Sequence, residues 1–172
     1  MSSAAPRDRQ RAELVVLGLI ASLIVGIDQV TKAAIVAALE VGERAEVLGD
    51  LVVLWHVRNT GAAFSLFQFE GSLLLFYLVH VVALGMVVWF HRSFRGRSLW
   101  LNAVLGLLLG GSIGNLIDRI RQGYVTDFIS VGFGDVRFPT WNVADAGITT
   151  GIVLLVAYLV LLEPRRAAES SP

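Results

Sequence analysis

The sequence contains no cysteine among its 172 residues, which excludes disulfides, thiolate nucleophiles and cysteine-ligated metals. Histidine is scarce. The three present show no HExxH or other ligand-like spacing, so no zinc site and no other metal or cofactor is expected. Charge is thin as well: 16% of residues are charged, against about 25% in soluble domains. The 14 basic residues balance the 14 acidic ones, so nothing points to a nucleic-acid partner.

Apolar sequence fills the space these absences leave. Hydrophobic residues make up 55% of the chain and the mean hydropathy is +0.69, the composition of a membrane protein. Four apolar segments fall at 14–39, 72–90, 98–117 and 143–162, each near the ~20 residues that span a bilayer. The first begins like a signal-peptide core at Leu14–Ile27. It continues past Asp28-Gln29, however, and no small-residue cleavage site follows, so it reads as an uncleaved helix. Asp28 and Lys32 are four residues apart on it and are placed to pair.

The expected organisation is a polar, disordered tail over 1–13, one membrane domain over 14–162 and a second tail over 163–172. Within the domain, residues 40–71 are mixed. Val47–Val57 is rich in Val and Leu, broken by Gly49-Asp50, and suggests short strands. It leads into Asn59-Thr60-Gly61-Ala62-Ala63-Phe64, whose small residues suit a backbone that approaches something closely, or an ordinary turn. Basic residues set the orientation. Arg7, Arg9 and Arg11, then Arg92, Arg95 and Arg97, then Arg165 and Arg166 crowd three short segments. Lys32, Arg44, Arg58, Arg119, Arg121 and Arg137 are spread over much longer ones. Both termini are therefore expected in the cytoplasm. Asp28, Asn59, Asp127 and Asp145 then converge on the outer face.

The stretch from Gly114 to Gly147 carries the chemistry. Asp127 and Asp145 flank one excursion between two apolar segments, and an acid in a membrane costs roughly 2.5–3.5 kcal/mol without a partner or a role. Two carboxylates that approach closely share a proton. One then takes a proton from water while the other protonates a peptide carbonyl. Asn115 with Arg119, and Asn142 with Asp145, lie at helical spacing on the flanking segments. Gly106, Gly110 and Gly114 recur every four residues, as close helix packing requires.

Other readings are weaker. Gly132-Phe133-Gly134-Asp135 fits GxGD but sits in what reads as a loop over Val131–Pro139, without a Tyr-Asp partner. Gly110-Gly111-Ser112-Ile113-Gly114 fits GxSxG. A nucleophile elbow needs a strand-to-helix turn, though, and this stretch is continuous helix with only His80 to serve it. A small transporter using the acids as an ion relay is the alternative to an enzyme. Acids confined to one face and four spans without repeat symmetry argue against it.

Five blocks in order then carry a resemblance. They are Asp28-Gln29-Val30-Thr31-Lys32, Asn59-Thr60-Gly61-Ala62-Ala63-Phe64, Gly114-Asn115-Leu116-Ile117-Asp118-Arg119, Val125-Thr126-Asp127-Phe128 and Asn142-Val143-Ala144-Asp145. With these, residues 26–162 resemble the lipoprotein signal peptidases, signal peptidase II, of bacteria. The resemblance implies an all-α inner-membrane aspartyl protease with four transmembrane helices and a small extracytoplasmic β-rich element. It implies Asp127 and Asp145 as the catalytic dyad, with Asp28, Lys32, Asn59, Gly61, Asn115, Arg119 and Asn142 binding substrate or supporting the dyad. It further implies removal of signal peptides from prolipoproteins carrying diacylglycerol, cut just before the lipidated cysteine. Contact with membrane lipid and inhibition by cyclic peptides such as globomycin follow from the same likeness. Trp141 and Thr126 stand where the family more often has Phe and Val.

Overall fold

The computed structural model describes residues 4–61, 72–96 and 98–162. Helix α1 (Ala4–Ala38) is followed by strands β1 (Arg44–Leu48) and β2 (Val52–Asn59), then α2 (Ser72–Ser93) and α3 (Leu99–Gln122). Strands β3 (Val125–Phe133) and β4 (Val136–Arg137) come next, and α4 (Val143–Ala157) closes in a π turn over Tyr158–Leu162.

Helix α3 is the central post, against which α1, α4 and α2 all pack. The glycine stripe lets them approach. A Cβ on Gly106 would lie 2.8 Å from Leu17 O, and one on Gly110 2.7 Å from Ala21 O, both on α1. Packing accounts for these two glycines in full. Toward the N-terminal end of α3, Val87, Leu101, Leu105 and Tyr158 form a buried apolar cluster. Ser98 caps the helix by accepting from Leu101 N–H at 3.2 Å.

Among the described residues three helices are long and apolar enough to cross a membrane: Arg7–Ala38, Leu99–Gln122 and Val143–Leu161. Among the described residues α2 is apolar over Tyr77–Ser93. Large side chains such as Leu19, Leu23, Val30, Val153 and Val156 face outward, as lipid-facing positions do. Between α2 and α4 an apolar cleft of ≈ 430 Å³ runs over α3, lined by Met86, Phe90, Leu105, Ser112, Ile148 and Ile152 among others.

Two expectations need correction. Residues 1–13 were expected to be disordered, yet α1 begins at Ala4 and is about 50 Å long at 1.5 Å per residue. Arginine, alanine and glutamine are good helix formers, and Glu13 is buried with its Oε2 accepting Gly96 N–H at 2.9 Å. The stretch Val131–Pro139, expected as loop, holds a hairpin: Gly132 pairs with Arg137 and Phe133 with Val136. Asp135 sits exposed at its turn. The strands foreseen over 47–57 are present. They join β3 and β4 in one antiparallel sheet of order β1-β2-β3-β4. Ala62, Ala63 and Phe64, Arg97, Arg165, Arg166 and the tail 163–172 lie outside the described residues.

Candidate active site

Helix α3 ends because Gly123 adopts a left-handed conformation, φ 78°, and donates its N–H to Arg119 O at 3.0 Å. The chain turns straight into β3, which pairs with β2 so that Val57 faces Asp127 and Asn59 faces Val125. Asn59 and Asp127 are thus diagonal neighbours on one face of the sheet. Asn59 Nδ2 donates to Asp127 Oδ2 at 2.8 Å. The orientation of that amide is fixed from the other end, where Asn59 Oδ1 accepts Gly61 N–H at 2.9 Å. Gly61 reaches back at φ 99°, a conformation that side chains resist.

After the hairpin the chain returns to β3. Trp141 N–H donates to Ile129 O at 3.0 Å, and Ile129 N–H donates to Trp141 O at 2.8 Å. This bridge sets Asn142 beside Asp127, with Asn142 Nδ2 donating to Asp127 Oδ1 at 2.7 Å. Asn142 also caps α4: its Oδ1 accepts Asp145 N–H at 2.9 Å, and Asp145 Oδ2 accepts Asn142 N–H at 3.2 Å. Asp145 Oδ1 takes a further bond from Asn115 Nδ2 at 2.7 Å. Both carboxylates are therefore gripped by the same asparagine, while Asn115 and Asn59 hold their remaining oxygens.

Burial decides the electrostatics. Asp127 is 2% exposed, and Asp145 is partly buried. Desolvation, with the Asp145 charge added, raises the Asp127 carboxyl from 3.8 to about 7, against the pull of the Asn59 and Asn142 bonds. The Arg119 guanidinium, 8% exposed, lies within electrostatic reach of Asp127, Asp145 and Asp118.

Behind the pair lies a buried ion cluster. Lys32 Nζ sits 2.8 Å from Asp28 Oδ2, 3.0 Å from Asp118 Oδ2 and 3.1 Å from Asn115 Oδ1. Asn115 Oδ1 also accepts Asn142 Nδ2 at 3.2 Å, which fixes its amide with Nδ2 toward Asp145.

A family profile for Signal peptidase (SPase) II matches residues 20–161. The chain belongs to the signal peptidase II family. Its similarity to named members is broad. It is 39% identical over 150 residues to the lipoprotein signal peptidase of Enterococcus faecalis, covering 87% of this chain and 91% of that one. To the lipoprotein signal peptidase of Shouchella clausii it is 37% identical over 143 residues, covering 83% and 91%. Two solved structures of a bacterial membrane enzyme, determined by the in meso method at 1.9 and 2.3 Å, share the fold. The first superposes with a TM-score of 0.75 at 32% identity, covering 84% of this chain and 92% of that one. The second gives 0.74 at 30%, covering 89% and 90%.

In this signal peptidase II family member the nine residues that the resemblance assigns to the site all fall in or beside one network. Asp127, Asp145, Asn59, Asn115 and Asn142 are joined by hydrogen bonds. Gly61 orients Asn59, Asp28 and Lys32 lie in the ion cluster, and Arg119 stands one helical turn beyond Asn115. Sequence reasoning passed over Asp118 and Gln29 as site residues. Asp118 Oδ2 accepts Thr126 N–H at 3.1 Å, and Gln29 Nε2 donates to Asp118 Oδ1 at 3.0 Å. The signal was present: Asp118 continues the four-residue stripe from Gly114, and Gln29 adjoins Asp28. Ser112 lies within α3, lining the apolar cleft rather than heading a turn.

Proposed function

We propose that this protein is a membrane aspartyl endopeptidase, a signal peptidase II, that removes signal peptides from diacylglyceryl-modified prolipoproteins, cutting just before the lipidated cysteine. Family membership favours this reading over the ion-relay transporter. The observation that carries the reaction is the single grip of Asn142 on both Asp127 and Asp145.

In the reaction the pair holds one proton, carried by Asp127, the more deeply buried of the two carboxyls. The ionised Asp145 takes a proton from a water molecule as its oxygen attacks the scissile carbonyl carbon, while Asp127 gives its proton to the carbonyl oxygen. Collapse of the tetrahedral species returns that proton to Asp127. The C–N bond breaks, and the leaving nitrogen takes the proton held by Asp145. Asn59, Asn115 and Asn142 keep both carboxylates in place throughout, so little reorganisation accompanies charge movement.

The protein crosses the bacterial inner membrane four times with both termini in the cytoplasm, as the arginine distribution supports, and α2 joins α1, α3 and α4 as a span. The sheet and the aspartate pair lie at the outer face. The signal peptide or acyl chains occupy the apolar cleft, whose lining includes Ile148, one turn from Asp145. Cyclic peptides of the globomycin type compete for the same site.

Matched precursor peptides with and without the diacylglyceryl group test this reading. Cleavage should fall before the cysteine and require the lipid. Equal cleavage of both peptides would contradict the assigned substrate class.

A further inference from the structure

The two dyad aspartates are held from behind in the same way. Asp145 follows Ala144, whose N–H donates to Asp28 Oδ1 at 2.9 Å. Asp127 follows Thr126, whose N–H donates to Asp118 Oδ2 at 3.1 Å. Each aspartate is thus preceded by a backbone amide gripped by a second carboxylate, one from α1 and one from α3. Lys32 Nζ joins those two carboxylates, at 2.8 Å from Asp28 Oδ2 and 3.0 Å from Asp118 Oδ2. Asp28, Lys32 and Asp118 are all at least 95% buried, and Ala144 and Thr126 are buried too.

We propose that Lys32 is a positioning residue for peptide cleavage: by bridging Asp28 and Asp118 it fixes how far apart Asp127 and Asp145 stand. This rests on the dyad reading and deepens it. Two carboxylates side by side repel, and an ammonium between them offsets that repulsion while each grips an amide. Its third contact, to Asn115 Oδ1, polarises the amide whose Nδ2 donates to Asp145, so the charge reaches the dyad by a second route. A compact ammonium with three donors suits three acceptors from α1 and α3, and a planar guanidinium does not.

The charge of Lys32 also bears on titration. Around the pair of Asp127 and Asp145 stand Lys32 and Asp28 on α1, and Arg119 and Asp118 on α3. On β2 the contact is the neutral amide of Asn59, while Tyr77 of α2 lies near Arg119. Lys32 pulls the Asp127 carboxyl down against the larger upward push of burial. Removing it moves the alkaline limb of the rate profile to higher pH.

The experiment uses the full chain in lipid or detergent with a diacylglyceryl-modified precursor peptide, comparing wild type, Lys32→Met, Lys32→Met/Asp118→Asn and Asp127→Asn. Rates are taken per folded molecule, counted by thermal unfolding. Lys32→Met should lower kcat at least tenfold, leave KM within twofold and shift the alkaline limb upward. The double variant should be no more than threefold slower than Lys32→Met, because both changes break one bridge. If Lys32→Met does not fold, the isosteric Asp118→Asn alone serves. It should show the same kcat loss at constant KM, with the limb moving to lower pH as a negative charge is removed. A folded Lys32→Met with a near-wild-type kcat, a loss carried by KM, or an unmoved limb overturns the proposal while leaving the dyad intact. Retained cleavage by Asp127→Asn overturns both.

Discussion

Asn142 and Asp145 cap one another: the Asn142 side-chain oxygen accepts the Asp145 N–H, and the Asp145 carboxylate accepts the Asn142 N–H. This capping box starts α4, and its acidic member is also half of the proposed dyad. The device that begins a helix therefore also aims the Asp145 carboxylate. Asn142 spends its remaining amide protons on Asp127 and Asn115.

Replacing that asparagine should accordingly harm folding a little and cleavage a great deal. Asn142→Ala removes a helix cap worth about 1 kcal/mol. It also removes a preorganised donor whose loss typically costs about 10²–10³ in rate. Thermal unfolding and steady-state cleavage measured on the same preparation separate the two effects. A large drop in stability with little change in rate per folded molecule would speak against Asn142 as the link.

Because burial raises Asp127 to about 7, the pair should lose its last proton, and cleavage its rate, as pH rises through neutrality. Stability follows with a defined sign. A carboxyl at 3.8 when unfolded and about 7 when folded binds its proton more tightly in the fold. Its contribution is fully present below pH 4 and is lost as pH rises to 7, on the order of 4 kcal/mol at 1.36 kcal/mol per unit. Asp127→Asn should flatten that slope, which melting temperatures between pH 4 and 8 would reveal.

Gly114 and Gly85 offer a paired test of packing. A Cβ on Gly114 would sit 2.7 Å from Asp28 Oδ2 and 3.2 Å from Ala144 Cβ, whereas one on Gly85 meets nothing within 4 Å. Gly114→Ala should destabilise by about 1–3 kcal/mol and disturb the grip of Asp28 on α4. Gly85→Ala should be neutral or add up to about 1 kcal/mol through helix propensity. Similar melting temperatures for the two variants would contradict this account of the helix contacts.

Ser112 matches a nucleophile pattern yet lies within α3, 5% exposed, against the apolar cleft. Ser112→Ala should cleave the lipidated peptide at a rate within about twofold of wild type, since the proposed chemistry never touches it.

Much of this was legible in the sequence because membrane composition makes polar residues conspicuous. Asp28, Lys32, Asn115, Asp127, Asn142 and Asp145 stand out against apolar neighbours, and all lie in one network. The hairpin after Asp127 was not legible. Gly132 and Gly134 depress strand propensity, and its short partner strand Val136–Arg137 has almost no pattern of its own. Asp118 was marked only by its place on the glycine stripe; its role was hidden because its partners Lys32 and Thr126 lie 86 residues before it and eight after, on other elements. The helical reach of α1 through Arg7, Arg9 and Arg11 was hidden by polarity, which sequence patterning equates with disorder.

We propose that Asp127 and Asp145 act together on a peptide bond. Cleavage of a diacylglyceryl-modified precursor peptide by wild type, Asp127→Asn and Asp145→Asn, each shown folded by thermal unfolding, tests it directly. Wild type should cut before the lipidated cysteine, and neither variant should cut detectably. Cleavage retained by either folded variant at a rate near wild type would contradict that proposal.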